Sequence, residues 1–241
     1  MRIILTLLHT LISYLLIAFF GILFFIPSLI FLLIPARWRY ESSLWYVFLY
    51  CAYRIILFCT LLPIKFIGKR NIPKEPAIIV ANHQSSLDIP LVGSLLNTFP
   101  HVWLAKKELF SEPLYGWIIS RISVPIDVET PQKAMRSLVR ALTLVRDKKM
   151  HAIIFPEGGR YIDGKIHDFF SGFVILAKKT GRPVVPVCIF NACTAYPPGA
   201  FLARWCPIKV VVGKPMHLEE NESDEAFKDR VHAWFIEQVK G

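Results

Sequence analysis

An N-terminal stretch of almost purely apolar residues restricts the fold of this chain more than any other feature. Between residues 3 and 35 the polar side chains are those of Thr6, His9, Thr10, Ser13, Tyr14 and Ser28. One helix of that length would extend about 50 Å, whereas the hydrocarbon core of a bilayer is about 30 Å thick. The sequence therefore predicts membrane association and a helix that breaks, with Gly21 and Pro27 as candidate positions.

Two arrangements of this stretch remain open. Either its first part, about twenty residues, spans the bilayer and the rest turns along the interface, or two shorter helices form a hairpin that dips in without crossing. In both arrangements we expect Arg37 and Arg39 to mark a water-facing edge. A cleaved signal peptide fits poorly, because the apolar core is too long and no small-residue cleavage site follows it.

A second apolar run, residues 44–63, contains Arg54 near its middle. Because a central arginine is costly in a lipid-exposed span, we interpret this run as a helix that lies on the membrane or against the following domain. We place the domain boundary at its end. Residues 1–63 form the membrane-associated helices, and residues 64–241 form a second domain.

The net charge of +10 indicates anionic partners. The chain contains no basic motif of a known nucleic-acid-binding type, so we expect membrane lipid as the partner and no nucleic acid. Four cations follow the apolar region directly and are placed to meet an anionic leaflet, although a solvated face would look the same: Lys65, Lys69, Arg70 and Lys74. The hydrophobic fraction of 54% and the mean hydropathy of +0.45 also exceed those of an ordinary cytosolic protein.

The five cysteines show no pairwise spacing typical of a zinc site or of a disulfide framework. We therefore predict no metal site. Cys188 falls in an apolar run, where a thiol acts as a small buried hydrophobic group.

Beyond residue 64 the chain alternates short apolar runs with helical patterns. The runs predicted as strands are residues 77–80, 102–105, 122–126, 152–155, 184–190 and 208–212. Two helices are clear: one from Pro131 to about Lys149 with an apolar face, and a closing helix that opens at Ser223. This pattern predicts an α/β sandwich with a largely parallel central sheet flanked by helices, preceded by the N-terminal membrane-associated helical element.

The most informative short segment follows the strand predicted at residues 77–80. It reads Ala-Asn-His-Gln-Ser-Ser-Leu-Asp over residues 81–88 and precedes a helical pattern, and ligands bind at such strand-to-helix junctions in open α/β sheets. On this turn His83 and Asp88 can face each other as a base and its orienter. The alternative is that Asp88 caps the helix and His83 is an ordinary turn residue.

The motif Asn-His-Gln-Ser-x-x-Asp at residues 82–88 resembles the first signature block of the glycerolipid acyltransferase family, in particular the 1-acylglycerol-3-phosphate acyltransferases. Three further blocks follow in the family's order. They are Lys-Lys-Glu-Leu at 106–109 with Pro113 and Gly116, Phe-Pro-Glu-Gly-Gly-Arg at 155–160, and Val-Val-Pro-Val at 184–187. The resemblance covers residues 65 to 216. Val128 stands where the family's second block commonly has Arg, and Gly159 where its third block has Thr.

The resemblance implies roles for particular residues. His83 and Asp88 would be the catalytic pair, with the ring taking the proton of the acceptor's hydroxyl. Arg160 and Lys106 would bind a phosphate, with Lys107 a weaker candidate, and Arg121 is a candidate replacement for the positive charge missing at Val128. Glu157 would contact Arg160 or the acceptor's hydroxyls, and Gly158 would let the backbone approach a ligand. Those substrate-binding assignments concern the acceptor.

The implied reaction is transfer of a fatty acyl group from an acyl thioester to the free sn-2 hydroxyl of 1-acylglycerol 3-phosphate, which forms phosphatidic acid. No cofactor is expected; the co-substrate is a thioester of coenzyme A or of acyl carrier protein. The catalytic domain is expected on the cytoplasmic face. Another lysophospholipid acceptor and a catalytically silent lipid-binding protein remain alternatives.

Two further residues complete the expectations. Pro186 lies within a predicted strand and indicates an edge, a bulge, a backbone opening toward substrate or simply a strand end. Ser85 is not expected to be a hydrolase nucleophile, because no Gly-x-Ser-x-Gly elbow surrounds it.

Overall fold

The structure is a computed structural model that describes residues 2–240, apart from the side chains of Arg2, Leu32, Arg37 and Pro131. The helices in that range are α1 (Arg2–Leu33), α2 (Ala36–Arg39), α3 (Ser43–Cys59), α4 (Asp88–Gly93), α5 (Tyr115–Ile122), α6 (Pro131–Asp147), α7 (Gly172–Thr180), α8 (Ala192–Ala195) and α9 (Asp224–Lys240). The strands are β1 (Ile64–Ile67), β2 (Ile78–Ala81), β3 (His101–Lys106), β4 (Ser123–Ile126), β5 (His151–Ile154), β6 (Val184–Phe190) and β7 (Ile208–Val212).

The strands form one sheet in the order β1-β7-β6-β2-β5-β3-β4. The five strands from β6 to β4 are parallel, whereas β7 runs antiparallel to β6 and β1 runs parallel to β7. The predicted α/β fold with a largely parallel sheet is confirmed. Strand β1 was missed, because it is a four-residue edge strand whose alternating pattern is too short to stand out.

Helices cover both faces of this sheet. On one face α6, α7 and α9 bury Leu138, Phe173 and Phe227, and on the other α4 packs beneath α3. The helix predicted from Pro131 is confirmed and ends at Asp147 rather than Lys149. The closing helix also begins as predicted, with the Ser223 hydroxyl accepting a hydrogen bond from a first-turn N–H group.

Helix α1 is one unbroken helix, so the predicted break at Gly21 or Pro27 is wrong. The physical reason is lateral support from α3, because aromatic contacts lie on both sides of the proline. The ring of Phe48 lies 6.1 Å from that of Phe24 and 4.7 Å from that of Phe31. Within residues 2–240 this is the one helix long and apolar enough to cross a membrane, and its apolar window is 0% buried.

The polar side chains of α1 bind the rest of the protein. The His9 Nε2 atom donates to the carbonyl of Thr60 at 2.8 Å, and the hydroxyl of Thr10 donates to and accepts from the backbone of Ala203. The Tyr14 hydroxyl donates to another carbonyl of the same loop, which precedes β7. Helix α1 is therefore attached to the sheet domain by its first half as well as to α3 by its second.

Helix α3 lies against the sheet domain. This is one of the two positions predicted for the run at residues 44–63, the other being on the membrane. It buries Trp45 and Tyr53 and leaves Arg54 exposed. The expectation of a water-facing Arg39 is wrong, since this side chain is 1% exposed. Its guanidinium donates to a carbonyl at the end of α1 and lies 5.4 Å from the ring of Trp45, which offsets part of the lost hydration. The side chain of Arg37 lies outside the described part of the chain.

Pro186 is buried in β6, with strands on both sides, so the predicted edge and the predicted opening toward substrate are not observed, whereas a bulge lies directly beside it. Its carbonyl accepts the N–H of Gly213 at 2.8 Å, so the position of the missing N–H also faces β7. Gly213 is the first residue after β7. Beyond this pair the register shifts by one residue, because Val184 pairs with Met216 and residues 214 and 215 both face Val185. The proline therefore stands at a β-bulge, where the regular ladder with β7 is interrupted.

Candidate active site

The turn after β2 begins at Asn82, whose side chain continues the sheet. Its amide donates to the carbonyl of Ile189 at 3.0 Å, and its oxygen accepts the N–H of the same residue at 2.7 Å. The buried amide thus pairs with β6 as a further strand residue would. Sequence reasoning missed this role, although a polar residue directly after four buried apolar ones was the available signal.

His83 and Asp88 meet on this turn. The distance from His83 Nδ1 to Asp88 Oδ2 is 2.7 Å, and the same oxygen accepts the N–H groups of Gln84 and Ser85 at 2.6 and 2.7 Å. The predicted contact is confirmed, and the carboxylate orders the backbone turn as well. Because an ionised carboxylate only accepts, Nδ1 carries the proton of a neutral ring and Nε2 is left as an acceptor.

The imidazole remains accessible, with the His83 side chain 12% exposed and Asp88 fully buried. Phe155, the first residue after β5, stacks on the ring at a centroid distance of 3.9 Å and an interplanar angle of 8°. The strands β2 and β5 are parallel neighbours, so the two segments that follow them meet at one edge of the sheet. This brings the first and third sequence blocks together.

Arg160 lies directly on the imidazole. Its Nε–H donates to His83 Nε2 at 3.1 Å, and the guanidinium is otherwise exposed. The residue expected to bind a phosphate therefore donates a hydrogen bond to the ring nitrogen that was expected to accept the proton.

Glu157 has a different environment from the one expected. The residue is 3% exposed, and its two oxygens accept the backbone N–H groups of His83 and His167, each at 3.1 Å. The carboxylate contacts neither Arg160 nor open solvent, because both of its oxygens are committed to the backbone. Burial raises the pKa of Glu157, while these hydrogen bonds oppose that shift.

Backbone contacts also join the turn after β2 to the turn after β5. The N–H of Tyr161 donates to the carbonyl of His83 at 2.9 Å. Gly158 adopts a φ of +67°, and an added Cβ would lie 2.6 Å from the ring of Phe170. Gly158 is therefore required by the turn geometry. A side chain would fit at Gly159, since its added Cβ would lie 3.4 Å from the nearest ring atom.

The cationic candidates of the second block separate in space. Lys106 ends β3, is exposed, and lines the same cavity as His83 and Arg160. The Nζ of Lys107 binds Asp127 at 2.8 Å, an ion pair that raises the pKa of the lysine and lowers that of the aspartate. Of the two lysines, only Lys106 faces the imidazole region.

Arg121 does not take the place of the missing cation. Its guanidinium lies 5.1 Å from the ring of Trp117, on the same helix α5. No hydrogen bond described within residues 2–240 connects it to the site. Ser85 is fully buried and donates to the carbonyl of Tyr196 at 2.6 Å, which is a structural role.

Two apolar cavities meet beside the imidazole. The imidazole cavity, about 320 Å³, is lined by His83, Lys106, Gly158 and Arg160 and by apolar residues of β3 and α5. The α1 cavity, about 760 Å³, lies between α1, α3 and α4 and also reaches Arg160, but not His83. The residues that line both cavities are Ile89, Leu109, Tyr115, Ile118, Ile122 and Arg160.

Comparison with known proteins gives consistent results. An acyltransferase family model matches residues 63–190. Among solved structures, the chain is similar to the 1-acyl-sn-glycerophosphate (LPA) acyltransferase PlsC from Thermotoga maritima, with 28% identity and a TM-score of 0.77. That match covers 100% of this chain and 97% of the other.

Curated relatives carry the name 1-acyl-sn-glycerol-3-phosphate acyltransferase. One from Pseudomonas aeruginosa is 29% identical over 85% of this chain and 78% of its own length. One from Saccharomyces cerevisiae is 32% identical over 79% and 64%, and one from Limnanthes douglasii is 33% identical over 66% and 56%. The chain thus spans less than two thirds of the plant and yeast relatives.

Proposed function

This chain belongs to the acyltransferase family, and we propose that it transfers a fatty acyl group from a thioester to the free sn-2 hydroxyl of 1-acylglycerol 3-phosphate, forming phosphatidic acid. The observation that carries the proposal is the 2.7 Å hydrogen bond between His83 and Asp88 beside a cavity that Arg160 also lines. The names of the relatives and of the structural neighbour support the choice of acceptor.

In the proposed mechanism His83 Nε2 takes the proton of the acceptor's hydroxyl while Asp88 stabilises the imidazolium. The oxygen attacks the thioester carbonyl, a C–O bond forms and the C–S bond breaks. The imidazolium then returns its proton to the leaving thiolate. The mechanism uses no cofactor; the thioester of coenzyme A or of acyl carrier protein is the co-substrate.

Arg160 has to leave the imidazole before this sequence can begin, because its Nε–H occupies the accepting nitrogen. The phosphate of the acceptor provides the binding free energy for this movement, since a guanidinium binds phosphate with paired, charge-assisted hydrogen bonds. Lys106 supplies the second cation. Binding of the acceptor thus frees the base at the moment when its hydroxyl arrives.

The donor's acyl chain is proposed to occupy the imidazole cavity. The thioester carbonyl must lie within reach of His83, and the chain begins at that carbon. The cavity walls offered to the chain are apolar, among them Leu104 and Ile119. Gly158 and Glu157 shape the turn at its mouth.

Helix α1 associates with the membrane, and we propose that it lies along one leaflet on the cytoplasmic face. Its first half binds the loop that contains the exposed Arg204, and its second half packs on α3 next to the ion pair of Lys148 with Glu41. A spanning orientation would carry one of these charged surfaces into hydrocarbon, which is costly. Residues 1–63 would then bind the membrane, and residues 64–241 would carry out the acyl transfer.

The test of the reaction is His83→Ala in detergent-solubilised protein, with thiol release from an acyl thioester as the measurement. We expect a loss of about a hundredfold or more in kcat, because proton transfer is removed while the fold persists. Circular dichroism and membrane fractionation control for folding and binding. Near-normal turnover would reject the mechanism, and absence of acceptor-dependent thiol release in the wild type would reject the function.

Arg160→Ala is the companion variant. We expect a higher KM for the acceptor with little change in the KM for the donor, and faster thiol release without acceptor, because Nε2 is uncovered. A panel of lysophospholipids tests the acceptor in the same assay. Equal use of acceptors with a larger headgroup would favour another lysophospholipid as the natural substrate.

A further inference from the structure

We propose that the α1 cavity binds the acyl chain already present on the acceptor, so that the two chains of the product occupy separate apolar cavities. This inference rests on the proposed function. It assigns to the membrane helices a part in substrate selection in addition to attachment.

The position of the reacting atoms determines which chain belongs in which cavity. In the donor the carbon that is attacked is the first carbon of the acyl chain, so this chain must start beside His83. The imidazole cavity includes His83 and the α1 cavity does not. The α1 cavity therefore cannot receive the donor chain from its reacting end without bypassing the base.

The existing acyl chain of the acceptor, by contrast, does not begin at a reacting atom. Its existing chain is attached through an ester at sn-1, and the glycerol backbone separates this ester from the phosphate at sn-3. With the phosphate on Arg160 and the sn-2 hydroxyl at His83, the sn-1 chain leaves in a different direction. The α1 cavity begins at Arg160 and is the larger of the two, at about 760 Å³.

The walls of the α1 cavity suit hydrocarbon. Leu49 and Leu62 contribute apolar surface, and the hydroxyls of Thr10 and Ser13, which also line it, are already bonded to backbone carbonyls. Polar atoms that already have a hydrogen-bond partner in the protein do not need one from a ligand. A hydrocarbon chain in this part of the cavity displaces neither hydrogen bond and is held by the apolar surface around it.

The cavity also communicates with the lipid-facing side of the protein. Ile17 on α1 and Ile56 on α3 line it and are each 43% exposed, so it reaches the surface between the two helices. A lysolipid resting in the leaflet beside these helices can slide its chain inward without passing through water. This route is available to the membrane-resident acceptor, whose headgroup is attached to that chain.

One substitution placed in either cavity separates the two chains. Ala52→Leu narrows the α1 cavity and Ala105→Leu narrows the imidazole cavity. Each full-length variant is assayed with two series: 1-acylglycerol 3-phosphates that differ in chain length with one donor, and acyl thioesters that differ in chain length with one acceptor. Thermal unfolding reports whether each variant is folded.

We expect Ala52→Leu to lower kcat/KM for the longest acceptors about tenfold relative to the shortest, because added methylenes overfill an occupied site. Its preference among donors should stay that of the wild type. Ala105→Leu should give the reverse pattern. An unchanged acceptor preference in Ala52→Leu, or a shift confined to donors, would overturn the assignment while leaving the proposed reaction intact.

Leu49→Ala widens the α1 cavity and provides the opposite change should Ala52→Leu fail to fold. We expect it to favour long acceptors relative to the wild type. If it leaves the acceptor series unchanged, the assignment is wrong.

Discussion

At the scale of single residues, the site is built around the immobilisation of one imidazole. Asp88 binds its Nδ1, Phe155 stacks on its face, and Glu157 and Tyr161 hold the N–H and carbonyl of the same residue. In the proposed mechanism such a group keeps its geometry through the reaction. We propose that Glu157 acts through His83 rather than on substrate, as a positioning residue.

The variant Glu157→Gln tests this role. A glutamine has one accepting oxygen where the carboxylate has two, so one of the two backbone N–H groups is left facing an amide NH₂. We expect kcat to fall about tenfold or more through misplacement of the imidazole, with the acceptor KM nearly unchanged. Steady-state kinetics measures kcat and the acceptor KM separately. A rise in KM with normal kcat would instead indicate direct contact with the acceptor.

The pH dependence of unfolding gives a second readout for Glu157→Gln. Because burial raises the pKa of Glu157 in the folded protein, the folded state binds the proton more tightly than the unfolded state. The free energy of unfolding of the wild type should therefore rise relative to the variant as pH falls through the raised pKa toward 4.5. Parallel curves for the two proteins would contradict this.

At the scale of elements, α3 is joined to the sheet by a buried chain of hydrogen bonds. The indole N–H of Trp103 donates to the hydroxyl of Tyr53 at 3.0 Å, and that hydroxyl lies 3.2 Å from His101 Nε2. His101 Nδ1 donates in turn to the carbonyl of Phe99. Burial lowers the pKa of His101 to about 4, so the ring is neutral and can accept from the hydroxyl. Helix α3 then supports α1.

Tyr53→Phe should weaken this attachment. The variant leaves the buried N–H of Trp103 and the acceptor nitrogen of His101 without partners, at a cost of about 1–3 kcal/mol in the free energy of unfolding. Tyr50→Phe on the same helix is the matched control, since the Tyr50 hydroxyl makes no hydrogen bond described within residues 2–240 and should change little. Chemical denaturation in detergent measures both, and equal stabilities would remove the anchoring role.

At the scale of the whole molecule, the apolar surface is concentrated on α1 and reaches the two cavities through α3 and α5. Arg204 beside the first half of α1 and Lys148 beside its second half belong to the sheet domain, and in our proposal they orient the helix along the membrane. In this proposal catalysis and membrane attachment share one surface, and the acceptor reacts without leaving the membrane.

Cysteine labelling tests the proposed orientation. In a background without the native cysteines, Ile3→Cys marks the beginning of α1, Leu44→Cys marks the beginning of α3 beyond the other end of α1, and Asp229→Cys marks the sheet domain. In inverted vesicles, whose cytoplasmic surface faces outward, a membrane-impermeant maleimide should label all three positions. Protection of one end of α1 alone would show that the helix spans the bilayer, and protection of all three would place the domain on the other side.

The sequence by itself determined the features that depend on neighbouring residues. Apolar runs predicted β6 and β7 to the residue, because β6 is buried along almost its whole length and β7 has a single charged position, Lys209, among apolar ones. The spacing of His83 and Asp88 predicted their contact, because a strand-to-helix turn brings together residues five apart.

Only the tertiary structure decided which distant residues meet. Arg160 reaches His83 across 77 positions, and Glu157 binds the same residue's backbone, because β2 and β5 are neighbours in the sheet. The burial of Arg39 and the continuity of α1 likewise depend on packing against α3. Local periodicity records which side of an element is apolar but not which element will cover it, and strand order and helix packing supply that information.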